Sequence, residues 1–298
     1  MTGRFEVSYR DGILIVLVAG VFWSLSALAI RLVNDAATWQ ILFYRSAGLV
    51  PVLFLFISVR SGGRPLAEIR RAGRPAVVGG AGLVAAFAGA VYSIQETTVA
   101  NAVFLFATAP FFTAILAWPV LGERVGRRTW IATAVGFAGV VIMVEDGIAQ
   151  GAILGNLAAV ISAIGFAVFT LSLRRGRSAD MAAAVLLAGL MSLPVSFMMC
   201  QILDQTLFIA PRDIVICLLM GAVLLACGLS IYIIGSRAVP AAELALLAMT
   251  EVLLGPIWVW LFLGETAAFQ TWAGGAVLMA AIAGNALSGL RGLQPRPI

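Results

Sequence analysis

Apolar residues run along this chain in unbroken stretches of 18 to 23, not in alternation with polar ones. The stretches occupy about 13–33, 38–59, 76–95, 98–120, 128–145, 151–173, 181–203, 213–235, 241–263 and 269–288. Each is long enough to cross about 30 Å of hydrocarbon as a helix. The continuity argues against barrel strands, which alternate between lipid-facing and lumen-facing residues. The pattern therefore predicts ten transmembrane helices joined by short polar segments. Met1 to Gly12 is short and charged. No small-residue cleavage site follows at the right distance, so the first span is expected to be retained.

Composition sharpens this picture. Of 298 residues 62% are apolar and 11% charged, against about a quarter charged in an ordinary soluble domain. A soluble fold cannot hide that much apolar surface. All 19 basic residues are arginine, and the chain has neither lysine nor histidine. That excludes a lysine Schiff base, a histidine general base and any histidine metal site. Cys200, Cys217 and Cys227 are scattered in apolar context without metal-ligand or redox spacing and read as buried thiols. No cofactor and no metal is expected.

Arginine placement sets orientation, because cytoplasmic segments collect basic residues. With the N-terminus inside, 16 of the 19 arginines fall in inside segments, among them Arg60, Arg70, Arg71, Arg127, Arg128, Arg174 and Arg175. Arg31 and Arg212 lie outside, and Arg45 lies within the second span. Both termini are then cytoplasmic. The high pI reflects this topology and anionic headgroups, not a nucleic-acid partner.

The chain also repeats itself. Trp118-Pro-Val-Leu-Gly-Glu123 ends the fourth span and Trp260-Leu-Phe-Leu-Gly-Glu265 ends the ninth, an offset of 142. The same offset pairs Thr129-Trp130 with Thr271-Trp272, Thr108 with Thr250, and Asn101 with Glu243. An offset of 143 pairs Trp23 with Phe166, Arg31 with Arg174, and Pro51 with Pro194. Each repeat holds five spans. Five is odd, so the second repeat enters the membrane from the opposite side. Inverted repeats of this kind are the architecture of many secondary transporters, with the substrate site near the midplane between the halves.

The paired Gly122-Glu123 and Gly264-Glu265 ends resemble the repeat of the EamA-type family of the drug/metabolite transporter superfamily. Pro110 twelve residues before Gly122, Glu251 thirteen before Gly264, and Phe43-Tyr-Arg45 in the second span fit the same pattern. One departure is Val252, where the family usually places proline after the glutamate; Pro256 follows four residues later. The resemblance spans the chain. It implies an all-α polytopic membrane protein of ten transmembrane helices, as two inverted five-helix repeats at residues 1–147 and 148–298, in a bacterial inner membrane. It also implies export of small metabolites. Within the family the chain is most similar to YddG-type amino-acid exporters, whose substrates include aromatic amino acids.

Candidate pathway residues follow from the polar and aromatic positions inside the spans. Asn101 and Thr108 are seven apart, close to two helical turns, and Glu243 and Thr250 repeat that spacing. Asn101 and Glu243 also stand near helix starts, where they can cap, and the threonines can bond their own backbone. Glu251 lies about 12 Å deeper than Glu243. A carboxylate at that depth must face protein or water. It could draw in a substrate ammonium group, carry a proton, or hold helices together. Arg45 could bind a carboxylate, snorkel, or pair with Asp35; a structural role is favoured. Trp23, Tyr92, Phe104, Phe166 and Tyr232 are candidate aromatic walls for an aromatic or cationic solute. Trp118, Trp130, Trp260 and Trp272 read as interface anchors. Gly82, Ala86, Gly136 and Gly139 read as small-residue packing faces.

Three functions are weighed against these residues. A metabolite exporter working by alternating access accounts for the repeat and the sparse midplane polar set. Its partners would be a small molecule, expected to be an amino acid, and the lipid bilayer. A multidrug or nucleotide-sugar-like carrier is the alternative, although nucleotide sugars call for more intramembrane cations than Arg45 alone. An intramembrane enzyme lacks a nucleophile with a base and a metal cluster, and a channel or scaffold does not need Glu251. No phosphate loop exists to drive transport by ATP. Sequence leaves the oligomeric state open.

Overall fold

The structure is a computed structural model. It describes residues 8–122, 126–149, 152–175, 181–239 and 241–292; the side chains of 144–149, 181, 237, 241–246, 248, 249 and 286–292 lie outside that description. Of the arginines used for orientation, Arg4, Arg124, Arg177 and Arg296 fall outside it, as do the side chains of Arg237 and Arg291. Among the described residues the fold is all helical. In order these are α1 (Tyr9–Arg31), α2 (Thr38–Arg60), α3 (Pro65–Glu96), α4 (Val99–Phe106), α5 (Ala109–Leu121) and α6 (Arg127–Ala149), then α7 (Ile153–Arg175), α8 (Met181–Ile202), α9 (Pro211–Leu219), α10 (Gly228–Gly235), α11 (Ala241–Leu263) and α12 (Phe269–Gly292). A π-helical stretch, Met220–Cys227, joins α9 to α10. Among the described residues seven helical segments are long and apolar enough to cross a membrane.

Three departures from the hydropathy pattern have local causes. The fourth apolar stretch is two helices. Pro110 has no N–H to give the carbonyl of Phe106, and the ladder restarts with Phe111 N–H donating to Thr108. Asn101 and Thr108 therefore do not share one continuous helix face. The third helix starts at Pro65, well before the apolar run, and bends at Gly73 (φ 60°), two residues ahead of Pro75. The eighth span carries the π-helical stretch, which widens the helix by one residue per turn.

The two terminal motifs are the same local structure. Gly122 ends α5 at φ 70° and donates to the carbonyl of Trp118 (2.9 Å); Gly264 stands at φ 68° and donates to Trp260 (3.0 Å). A left-handed residue closing a helix is a glycine position, which explains why both repeats keep Gly before Glu.

Packing runs chiefly between the halves of the chain. α3 lies on α7 and α8, α2 on α8 and the π-helical stretch, α1 on α10 and α11, α4 and α5 on α7, and α6 on α12. The set of pairs is unchanged when each helix of the first half is exchanged for its counterpart in the second. Small residues let these helices touch. A Cβ at Gly82 would stand 2.7 Å from the carbonyl oxygen of Gly165, and one at Gly165 would stand 2.8 Å from the Ala86 nitrogen. Gly139 has the same relation to the Gly274 oxygen (2.6 Å). The expected Gly82 and Gly139 packing faces are thus real, and Gly136 makes room for the Phe111 ring. Large apolar side chains such as Leu55, Val141, Leu154 and Phe262 stand exposed on the outside, as a lipid solvent allows.

Replacing Gly165 with valine is expected to lower the apparent melting temperature of the detergent-solubilised protein by about 5 °C or more. Gly126→Ala, which meets nothing within 4 Å, should change it little. Differential scanning fluorimetry reads both.

Candidate functional site

The sequence-selected residues separate into three groups. In the first, Trp23 on α1 meets Tyr232 on α10 at 5.2 Å between ring centroids, tilted by 42°. Gly228 makes this possible, because a Cβ there would stand 2.7 Å from the indole Nε1. Phe166 on α7 meets Phe106 on α4 (5.4 Å, 70°) and Phe169 (5.6 Å). Trp23, Phe166 and Phe87 pack against one apolar cluster built from α2, α3, α7, α8, the π-helical stretch and α10. All are half-buried, as is Tyr92 on α3.

The second group faces α12. Asn101 is buried and its Oδ1 accepts a bond from the Thr271 hydroxyl (2.8 Å). Its backbone N–H donates to Thr98 Oγ1 (3.2 Å), which caps α4. Phe104 is buried edge-on to Trp272 (6.0 Å, 76°) and over Gly275. Thr108 donates to the Leu105 carbonyl at 2.6 Å, the local bond open to any helical threonine. Asn101 and Phe104 thus join α4 to α12, away from the Trp23 group.

The third group is on α11. Thr250 sits against Gly20 of α1, and Glu251 is half-buried with no hydrogen bond or ion pair to a described residue. The backbone of Glu243 is helical, but its side chain lies outside the described residues, as does Glu123. Sequence reasoning missed the neighbouring link between Ser24 and Trp258. The Trp258 indole donates to Ser24 Oγ (2.9 Å), and Ser24 donates back to Val21 (2.8 Å). Arg45 makes no ion pair with Asp35; its guanidinium lies over the Phe87 ring at 4.4 Å.

A closure across the halves was also missed. Glu265 follows the Gly264 cap, and its Oε2 lies 2.9 Å from Arg31 Nε at the end of α1. Its Oε1 accepts from Arg31 Nη2 (3.3 Å) and from the backbone N–H of Val99 at the start of α4 (2.7 Å). Arg31 Nη2 also donates to the Thr97 carbonyl. One carboxylate therefore meets a cation and a helix N-terminus, each of which favours negative charge. Tyr44 donates to the Leu207 carbonyl (2.6 Å), Gln40 to that of Thr206, and Thr38 to Gln95 Oε1 (2.6 Å). These bonds tie the segments after α1, α3, α8 and α11 together at one end of the bundle, the segments that arginine placement puts outside. A half-open cavity of 430 Å³ adjoins this end, lined by Val99, Ala100, Pro256, Trp260, Glu265 and Trp272 among others.

An all-helical bundle with a lipid-facing apolar exterior, charges inside its helices and an aromatic seam between its halves is a multi-pass membrane protein. Comparison with known proteins makes the class particular. The EamA-like transporter family matches residues 10–145 and again 150–287, so the chain belongs to that family. It is a membrane transporter for a small-molecule substrate, in the multi-pass inner-membrane setting of its bacterial relatives. The uncharacterized transporter YwfM of Bacillus subtilis (strain 168) is 25% identical over 280 residues, 89% of this chain and 90% of that one. A riboflavin transporter of Rhizobium johnstonii is 39% identical over 74 residues, 24% of each chain. A crystal structure superposes with a TM-score of 0.66 at 18% identity, covering 95% of this chain and all of the other.

In a double-mutant cycle, Arg31→Gln and Glu265→Gln are expected to show a coupling of about 1 kcal/mol or more. Glu265→Ala should cost about 1 kcal/mol beyond Glu265→Gln, because glutamine still accepts from Val99. Chemical unfolding in detergent measures both, and additive effects would reject the coupling.

Proposed function

We propose that this protein is a secondary transporter that exports amino acids, aromatic ones among them, by alternating access. Two inverted five-helix repeats, residues 1–147 and 148–298, would exchange conformations across ten transmembrane helices, with both termini in the cytoplasm. The observation that carries this reading is the set of helix pairs, which maps onto itself when the halves are exchanged. A bundle with that property can adopt two arrangements of similar energy, one the near-mirror of the other. In the arrangement described, the Arg31–Glu265 closure would hold the external end shut.

Trp23, Tyr232 and Phe166 supply ring faces for an aromatic side chain, and Tyr92 on α3 is proposed as a further one. Glu251, Glu243, Asn101, Thr108 and Thr250 are proposed as polar groups of the pathway, and Asn101 and Phe104 also hold the α4–α12 contact. Glu251 is the group proposed to carry a proton or meet the ammonium of the substrate, since an acid within a span needs a partner for part of the cycle. The short match to a riboflavin transporter favours a second reading, a carrier of a planar heteroaromatic metabolite, which the same ring faces would suit.

Purified protein in proteoliposomes is expected to take up radiolabelled phenylalanine and tryptophan saturably, faster with a proton gradient. Glu251→Gln should keep the flux and lose its gradient dependence. Trp23→Ala should raise KM for phenylalanine about tenfold while changing threonine less. Monodisperse protein that moves riboflavin and no amino acid would replace the amino-acid reading with the second.

A further inference from the structure

Arg45 is 5% exposed, seven residues into α2. Its Nη2 is buried without a hydrogen-bond partner, and no acidic residue pairs with it among the described residues. Asp213, at the start of α9, which packs on α2, accepts instead from the backbone N–H of Asp35 (3.2 Å). Phe87 offers the guanidinium one ring face, an attraction that offsets only part of the cost of a buried, unpaired cation. A guanidinium also presents a planar fork of donors that a ring face cannot satisfy.

The surroundings are those of a working site. The π-helical stretch lies against α2 at this point: a Cβ at Gly221 would stand 2.9 Å from the Leu49 nitrogen and would collide with the carbonyl of Arg45 itself. The same stretch leads to Gly228, which admits the Trp23 indole. Phe87, the ring beneath Arg45, packs with Trp23 and Phe166 on one cluster. A charged, unsatisfied donor and a local departure from α-helix thus meet, and each marks functional sites, while Phe87 links Arg45 to the cluster on which Trp23 and Phe166 pack.

We propose that Arg45 is the anion-binding residue of the transport site: it takes the carboxylate or phosphate of the permeant in the arrangement that opens to it, and rests on Phe87 otherwise. This deepens the transport reading above and rests on it. The permeant class it selects is an aromatic metabolite bearing an acidic group.

The test compares solutes that differ only in that group. Proteoliposomes containing wild type, Arg45→Gln or Arg45→Lys are assayed with phenylalanine against phenethylamine, and with riboflavin 5′-phosphate against riboflavin. Wild type is expected to carry the anionic member of at least one pair. Arg45→Gln should raise KM for that member at least about tenfold and leave the uncharged-acid partner within about twofold. Arg45→Lys, which keeps the charge and guards against misfolding in the glutamine variant, should retain part of the preference. Equal loss for both members would make Arg45 structural and overturn the proposal. So would an unchanged KM, or a wild type that carries only riboflavin or no anionic member. Loss of the phenylalanine arm alone, with riboflavin 5′-phosphate carried and dependent on Arg45, would overturn the amino-acid reading and leave the anion site standing.

Discussion

The bundle depends on backbone-to-backbone approach between helices from different halves of the chain. In lipid there is little hydrophobic gain from bringing two apolar helices together, so packing itself must supply the attraction. Gly82 against Gly165 and Gly139 against Gly274 give that packing. Neither seam lies within one repeat. A repeat separated from its partner would lose α3 from α7, α6 from α12 and α1 from α11 together, so the two halves are not independent folding units in the soluble sense. Every movement of one half must be a rearrangement of these seams.

That dependence gives the Arg31–Glu265 closure its weight. Glu265 sits beyond a fixed left-handed cap, so the end of α11 aims it, and its partners are the Arg31 guanidinium at the end of α1 and the Val99 N–H at the start of α4. All are at helix ends. A helix end can be released without breaking the interior ladder, and its backbone groups can turn to water. The same is true of the Tyr44 and Gln40 bonds to the segment after α8. The charged contacts therefore lie where separation costs least, while the interior seams combine close backbone packing with a few hydrogen bonds such as Ser162 to the Ala86 carbonyl (2.6 Å) and Trp258 to Ser24 (2.9 Å).

Much of this fold is legible in the sequence because lipid imposes a simple rule, and each long apolar run falls in helix. The repeat is legible because Gly-Glu has one local structure used twice. The break in the fourth span needed attention to Pro110, whose missing N–H outweighs a hydropathy that runs straight through it. The π-helical stretch at Met220–Cys227 leaves no apolar or polar mark; only the close approach of α2 at Gly48 and Gly221 accounts for its position. Trp23 and Phe166, chosen by repeat position, do converge on one cluster. Asn101 and Phe104 turn toward α12, since Thr271 and Gly275 receive them. Thr271 was visible as half of a repeated Thr-Trp pair, but its partner lies 170 residues away. The same distance problem hid Glu265 from Arg31, 234 residues apart.

The charges that remain follow a division of labour. Arg31 and Glu265, at the end of the bundle, pair with each other and with backbone groups. Arg45 and Glu251, within helices, have no charged partner among the described residues. A buried cation without a charged partner is costly, and a leucine in the place of Arg45 would pack better. That cost would be offset by a partner arriving from outside, as a solute carboxylate at Arg45 and as a proton or an ammonium at Glu251. A zwitterionic aromatic solute would answer both needs.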